Sequence, residues 1–153
     1  MITIADILRP AHVDLDVKQT NQEEAVLHVA NLLRNDDRIL DWSGFYEGLI
    51  VRPPTVAAGS DFGISIPHVR TNCVAGMIMA IGCSPKGIVV PGREMKMHYI
   101  FAIGVPTAWA ADYLRIVGAL ARIFKNPRAV AELRSAGTVE EFVAILREKE
   151  LAP

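Results

Sequence analysis

A histidine and an arginine stand two residues apart in the segment 63–70, and this pair is the strongest chemical signal in the sequence. The segment reads Gly-Ile-Ser-Ile-Pro-His-Val-Arg, and its alternating residues before Pro67 predict a short strand. Because proline lacks an amide hydrogen, we expect strand pairing to break at Pro67 and to leave His68 in a loop at the strand's exit. A neutral imidazole nitrogen can attack a phosphoryl group near pH 7 and can also leave again, as a reversible carrier requires. Arg70 is placed to hold phosphoryl oxygens with its forked donors.

Taken alone, these residues also have ordinary explanations. A lone histidine at a strand end is usually structural or solvated, and Arg70 by itself would be a surface cation. The other histidines carry less signal than His68. His98 alternates with apolar residues in a buried strand and is interpreted as a core histidine, His28 falls on a polar helix face, and His12 shows no pattern.

Signatures of other catalytic classes are missing. The sequence has no GxGxxG or GxxxxGK[ST] loop for nucleotides, no HExxH metal motif and no GxSxG nucleophile turn. Cys73 and Cys83 lack CxxC spacing and a histidine at metal-ligand spacing. The sequence therefore predicts neither a metal nor a cofactor.

Composition and charge exclude several partners. The chain has 153 residues, a net charge of -1 and scattered basic residues, which gives no electrostatic basis for binding nucleic acid. Its longest apolar stretches, Val74–Ile81 and Met97–Val105, are shorter than the roughly 20 residues of a membrane span, so no membrane insertion is expected. Without a secretory signal, repeat or linker, we expect one domain over residues 1–153 in the cytoplasm, with both thiols reduced.

The elements that must position His68 follow an α/β order. Strand patterns are followed by helical ones, which predicts a layered α/β/α domain with a mixed central β-sheet. The predicted strands are Val13–Val17, Phe62–Ile66, Val74–Gly82 and Met97–Gly104, with a turn-rich segment from Ser84 to Arg93 between the last two. Five helices are predicted. The first is capped by Thr20 and Glu23 and ends near Arg34, the second covers Trp42–Val51, and the third is capped by Thr107 and ends near Phe124. The fourth runs from Pro127 to Gly137, and the fifth is capped by Thr138 and Glu141 and ends near Glu148.

Several segments together resemble a known family. The run 63–70 is similar to the phosphorylation-site signature of phosphotransferase-system IIA domains of the mannitol/fructose/nitrogen class (EIIA type 2), in which Pro-His-x-[Arg/Lys] surrounds the phosphorylated histidine. Ser84–Ile88 resembles the family's Ser-Lys-Glu-Gly-Ile turn, Met97–Pro106 its apolar strand ending at proline, and Asp112–Leu120 its Glu-His-Leu helix. The resemblance covers most of the chain.

The resemblance implies a phosphohistidine carrier and names its partners. His68 would accept phosphate from phosphorylated HPr and pass it to a IIB component, so the protein would be a transferase component of sugar transport. Arg70 and Arg52 would hold the phosphoryl group, with Gly63 and Ser65 beside them in the pocket. The family's second site histidine corresponds to Tyr113.

The departures from the family pattern keep two alternatives open. Besides Tyr113, the small hydroxyl residues usual before the signature correspond to Ala57 and Ala58, and a polar residue corresponds to Phe62, which makes the pocket less polar. A standalone regulatory protein of the nitrogen type, in which phosphorylation is a switch or lost, is one alternative. The other is a pocket for small anions formed by three residues, Arg52, Arg70 and His68.

Overall fold

The computed structural model describes residues 2–51, 56–58 and 63–152, within which helices pack on both faces of one sheet. The helices in this part of the chain are α1 (Ile4–Ile7), α2 (Gln22–Asn31), α3 (Trp42–Ile50), α4 (Ala110–Phe124), α5 (Pro127–Ser135) and α6 (Val139–Leu151). The strands are β1 (Leu8–Asp14), β2 (Val56–Ala58), β3 (Gly63–Ser65), β4 (His68–Arg70), β5 (Ile78–Ile88) and β6 (Met97–Val105).

The sheet is mixed, and β6 lies at its centre. The strand order is β1-β5-β6-β3-β2, and β4 also pairs with β6. The strand pairs β1–β5, β3–β6 and β4–β6 are parallel, whereas β5–β6 and β2–β3 are antiparallel. The predicted layered α/β/α architecture with a mixed central sheet is confirmed.

Alternating side chains of the central strands belong to two separate apolar cores, one on each face of the sheet. On one face, residues such as Ile81 and Phe101 pack against α1, α4, α5 and α6. On the other face, neighbours such as Ala80 and Ala102 pack against α2 and α3. Because both faces are covered, the segments 78–83 of β5 and 99–105 of β6 are apolar throughout, which is why these runs are conspicuous in the sequence.

Local capping signals account for most helix starts. The side chains of Asn126 and Thr138 accept hydrogen bonds from the first turns of α5 and α6, which confirms the predicted cap at Thr138. The predicted start of α2 is wrong by one residue, because Asn21 rather than Thr20 accepts from the amide of Glu24 at 2.9 Å. Asparagine caps a helix as well as threonine does, and the observed pair Asn21 and Glu24 has the same three-residue spacing as the predicted pair Thr20 and Glu23.

Several other boundaries differ from the prediction, among them that of the first strand, which was predicted as Val13–Val17 and is Leu8–Asp14. Thr107 does not cap α4, which begins at Ala110, and its hydroxyl donates instead to the side chain of Asn72. Strand β5 continues into the segment predicted to be turn-rich and ends at Ile88, with an irregularity in its pairing and Gly87 at a φ of 82°. Glycine adopts this left-handed backbone without strain.

No helix in residues 2–51 and 63–152 combines the length and the apolar composition needed to cross a bilayer.

Candidate functional site

The backbone around His68 is fixed by the central strand β6. Pairing resumes immediately after Pro67, with His68 opposite Ile103 and Arg70 opposite Val105. The amide of Ile103 donates to the carbonyl of Pro67 at 2.9 Å, and the amide of Thr71 donates to the carbonyl of Val105 at 2.8 Å. The prediction that His68 lies in a loop is therefore wrong, because proline removes a donor but its carbonyl still accepts, and the next residues pair normally.

The alternation of β4 places His68 and Arg70 together. Val69 points to the opposite face and packs against α3. At this contact a Cβ on Gly48 would lie 2.9 Å from a methyl carbon of Val69, so glycine permits the close approach of helix and strand. Residues two apart in a strand share a face, and both His68 and Arg70 are exposed on the face away from α3.

A hydrogen bond to the backbone determines which ring nitrogen of His68 can react. Nδ1 lies 2.9 Å from the carbonyl oxygen of Ile66. Since a carbonyl only accepts, Nδ1 carries the hydrogen and the lone pair of the neutral ring lies on Nε2. The contact thus leaves Nε2 as the nucleophilic atom.

The ring of Tyr113 covers one face of the His68 imidazole. The two ring centroids are 5.0 Å apart and the ring planes are inclined by 29°, a stacked arrangement. Burial raises the pKa of the Tyr113 phenol above its usual value of 10.0, so the phenol is neutral under physiological conditions. Tyr113 therefore provides His68 with a neutral aromatic neighbour.

His68, Arg70 and Tyr113 line an open cleft of about 560 Å³. Arg70 is the one charged side chain among the described residues that line it, and Ala110, the first residue of α4, brings the positive end of a helix dipole to its wall. The apolar lining includes Val51 and Leu114, whose exposed fractions are 74% and 69%. The cleft therefore combines a nucleophile, a cation and an exposed apolar rim.

The other residues predicted for the site lie elsewhere or outside the described part of the chain. Gly63 and Ser65 are buried in β3 and do not line the cleft, and the hydroxyl of Ser65 has no hydrogen-bond partner among the described residues. Arg52 lies outside the described residues, as does Phe62. Positions 57 and 58, both alanine, lie in β2, paired with Ile64 and Gly63 of β3.

Sequence reasoning missed two contributors to the site. The carbonyl of Ile66 carries no sequence signal, because any residue type supplies one. Leu114 did carry a signal, since it is a large apolar residue of α4 outside the buried stripe that includes Ile116 and Leu120. An exposed apolar side chain marks a contact surface when it belongs to a patch, and Leu114 shares the cleft with the exposed Val51.

Comparison with known proteins gives one consistent family. The family model for the phosphoenolpyruvate-dependent sugar phosphotransferase system, EIIA 2, matches residues 6–149. The fructose-specific EIIA component of the phosphotransferase system of Haloferax volcanii is 28% identical over 136 residues, which cover 86% of this chain and 88% of that protein.

Solved structures of similar proteins share the fold. The nitrogen regulatory protein IIA-Ntr of Neisseria meningitidis superimposes with a TM-score of 0.78 at 24% identity and covers 94% of this chain and 98% of that one. Enzyme IIA-mannitol, in its complex with phosphorylated enzyme IIB-mannitol from Escherichia coli, gives a TM-score of 0.73 at 15% identity and covers 92% of this chain and 97% of that one.

Proposed function

We propose, from the premise that this chain belongs to the EIIA 2 family of the phosphoenolpyruvate-dependent sugar phosphotransferase system, that it carries a phosphoryl group on Nε2 of His68. The observation that carries the proposal is the contact between Nδ1 of His68 and the Ile66 carbonyl, which leaves the Nε2 lone pair available for attack. His68 is the first residue of β4, and it is also the histidine of the family signature.

The reaction is an in-line transfer between two histidines. The Nε2 lone pair of His68 attacks the phosphorus of a phosphohistidine on the donor, the donor's phosphorus–nitrogen bond breaks, and its electron pair returns to the donor imidazole. The donor phosphohistidine carries a hydrogen on its other ring nitrogen and so leaves as a neutral imidazole. A new phosphorus–nitrogen bond forms on Nε2 of His68, which keeps its Nδ1 hydrogen, and no further proton or electron is needed. Arg70 shares the cleft and neutralises charge on the phosphoryl oxygens during transfer.

The proposed donor is phosphorylated HPr and the proposed acceptor is a IIB component. Family membership supports a phosphoryl route of this kind, and the complex of enzyme IIA-mannitol with phosphorylated enzyme IIB-mannitol has the same fold on its IIA side. The exposed apolar rim of Val51 and Leu114 is suited to the transient burial that excludes water while phosphate passes between proteins. Arg52, next to Val51 in sequence, is proposed as a second cation for the phosphoryl group.

A reconstituted phosphorylation assay tests the proposal. The protein is incubated with enzyme I, HPr and radiolabelled phosphoenolpyruvate, and we expect an acid-labile label on this chain that disappears when HPr is omitted. The Arg70→Gln variant removes the cation but keeps a polar side chain, and we expect its labelling to be about 100-fold slower. Absence of label on the wild-type protein with active enzyme I and HPr would refute the carrier function.

A regulatory role is the second candidate, and Tyr113 favours it. The residue replaces the second histidine of the family signature with a neutral ring, and the chain shares the fold of a nitrogen regulatory IIA protein. In this role, the roughly two negative charges of a phosphoryl group on His68 would switch the binding of a target protein to the apolar rim.

Partner capture from a lysate of the source cells distinguishes this role. The wild type, His68→Asp as a mimic of added charge, and Leu114→Glu, which disrupts the rim, are compared as baits. If the role is regulatory, we expect the wild-type bait to capture a partner protein that the Leu114→Glu bait does not capture. The amount of this partner should change with the His68→Asp bait. Identical sets of captured proteins for all three baits would argue against the regulatory role.

A further inference from the structure

The ring of Tyr113 is itself firmly held. Tyr113 lies in the first turn of α4, where its amide donates to the carbonyl of Trp109 at 3.0 Å. Its side chain packs against the apolar core between the sheet and α4–α6, and its ring also stacks on His68. Tyr113 therefore connects the core of the protein to an exposed imidazole.

One hydrogen bond does not define the orientation of an exposed imidazole. The bond from Nδ1 to the Ile66 carbonyl fixes the position of one ring atom. The χ2 torsion of histidine is broad, so the ring plane could still turn and the hydrogen bond could break and re-form. His68 is exposed, and the stacked ring of Tyr113 is the aromatic contact that restricts this plane within the described part of the chain.

We propose that Tyr113 is a positioning residue for His68: its ring face, and not its hydroxyl, holds the imidazole with Nδ1 on the Ile66 carbonyl and Nε2 directed into the cleft. This inference rests on the proposed function in so far as Nε2 is the atom that takes the phosphoryl group. The residue acts through His68 and through the shape of its ring, so removing the hydroxyl alone should leave the reaction intact.

Two kinds of substitution separate the ring from the hydroxyl. Tyr113→Phe keeps the ring and removes the hydroxyl, whereas Tyr113→Leu keeps an apolar side chain on the core and removes the ring. Tyr113→Met is a second non-aromatic variant in case leucine alters the fold, and the melting temperature of each variant monitors folding. We expect the rate constant kcat for acceptance of phosphate from HPr to fall about tenfold in the leucine and methionine variants, with KM for HPr unchanged within about twofold. The phenylalanine variant should remain within about twofold of the wild type.

The tautomer of His68 gives a readout that does not depend on phosphoryl transfer. Two-bond proton–nitrogen NMR correlations of the unphosphorylated protein report which ring nitrogen carries the hydrogen. The wild type and Tyr113→Phe should show the Nδ1–H form as the major tautomer at neutral pH, and the leucine and methionine variants a mixture with Nε2–H.

Three results would overturn the positioning role. The first is an unchanged kcat and tautomer in a folded leucine or methionine variant. The second is a phenylalanine variant as slow as leucine, which would assign the effect to the hydroxyl. The third is a rise in KM alone, which would make Tyr113 a docking residue. If the wild type takes no label, the carrier function fails, and the tautomer measurement still decides whether Tyr113 orients His68.

Discussion

Replacement of His68 by alanine is expected to reduce labelling from phosphorylated HPr to background. No other imidazole lies in the cleft beside Arg70 within the described residues, so the variant has no nucleophile to form the phosphorus–nitrogen bond. The substitution should change stability little, because the His68 side chain is exposed. The measurement is acid-labile radiolabel per chain, with the melting temperature as the check on folding.

Two other histidines provide matched controls for this prediction. Nε2 of His28, on a polar helix face as predicted, lies 2.7 Å from a carboxylate oxygen of Asp14. Nδ1 of His98 lies 2.9 Å from the carbonyl oxygen of Ser84. Neither residue lines the cleft, and His28→Ala and His98→Ala should be labelled like the wild type. Label that persists in His68→Ala, or is lost in a folded His98→Ala variant, would contradict the assignment.

Elements with strong local signals were predictable from the sequence. The central strand was predicted as Met97–Gly104 and is Met97–Val105, because a continuous apolar run of this length suits a strand buried on both faces. Helix α3 was predicted as Trp42–Val51 and is Trp42–Ile50, with Asp41 accepting from the amide of Gly44. In these cases the information lies within a few neighbouring residues.

The short strands β2 and β4 were not predicted, because tertiary pairing defines them. Strand β4, His68–Arg70, has three residues and exists through its register with β6, which lies more than 30 positions further along the chain. Strand β2, Val56–Ala58, depends in the same way on β3. Three residues alone carry no usable periodicity, and β3, which is equally short, was predictable because the alternation in the sequence extends over Phe62–Ile66.

The cleft brings together three of the residues named from the sequence, His68, Arg70 and Tyr113, and its geometry was not predictable. The signature placed His68 and Arg70 together, and the resemblance placed Tyr113 near them. The stack of Tyr113 on His68 joins positions 45 apart, on α4 and β4, and the contact of Nδ1 with the Ile66 carbonyl depends on the rotamer of the imidazole. Side-chain orientation across two elements is set by packing, and a motif does not encode it.

A buried charge network near the N-terminus was also absent from the sequence prediction. The Asp36 side chain is 0% exposed and accepts from Nε and Nη2 of Arg38 at 2.9 and 2.6 Å. Arg38 also donates through Nη1 to the carbonyls of Ile7 and Met77, which joins α1 to the residue before β5. His12, which showed no sequence pattern, is buried with its Nδ1 3.6 Å from Asp36. The members come from distant positions, so no local pattern reveals them.

Replacement of Asp36 by asparagine is expected to lower the free energy of unfolding by about 3–5 kcal/mol, because Arg38 would keep its largely buried charge without a countercharge. Asp37→Asn is the matched control. Asp37 accepts from Arg9 at 2.6 Å but is 78% exposed, and loss of such a pair should cost less than about 1 kcal/mol. Urea denaturation at neutral pH measures both values. Equal effects of the two substitutions would show that Asp36 does not anchor the network.

The same network predicts how stability changes in acid. Burial alone would raise the pKa of Asp36, but the hydrogen bonds and charge of Arg38, assisted by Arg9, lower it from 3.8 to about 2. Since the folded-state pKa lies below the unfolded value, this contribution to stability is present above about pH 4 and is lost as the pH falls through about 2. The wild type should therefore lose stability more steeply across this interval than Asp36→Asn, which has no carboxylate to protonate. If the free energy of unfolding falls in parallel for the two proteins between about pH 4 and 2, the pKa of Asp36 is not depressed in the folded state. In that case the ion pair of Asp36 with Arg38 is not the source of the stabilisation.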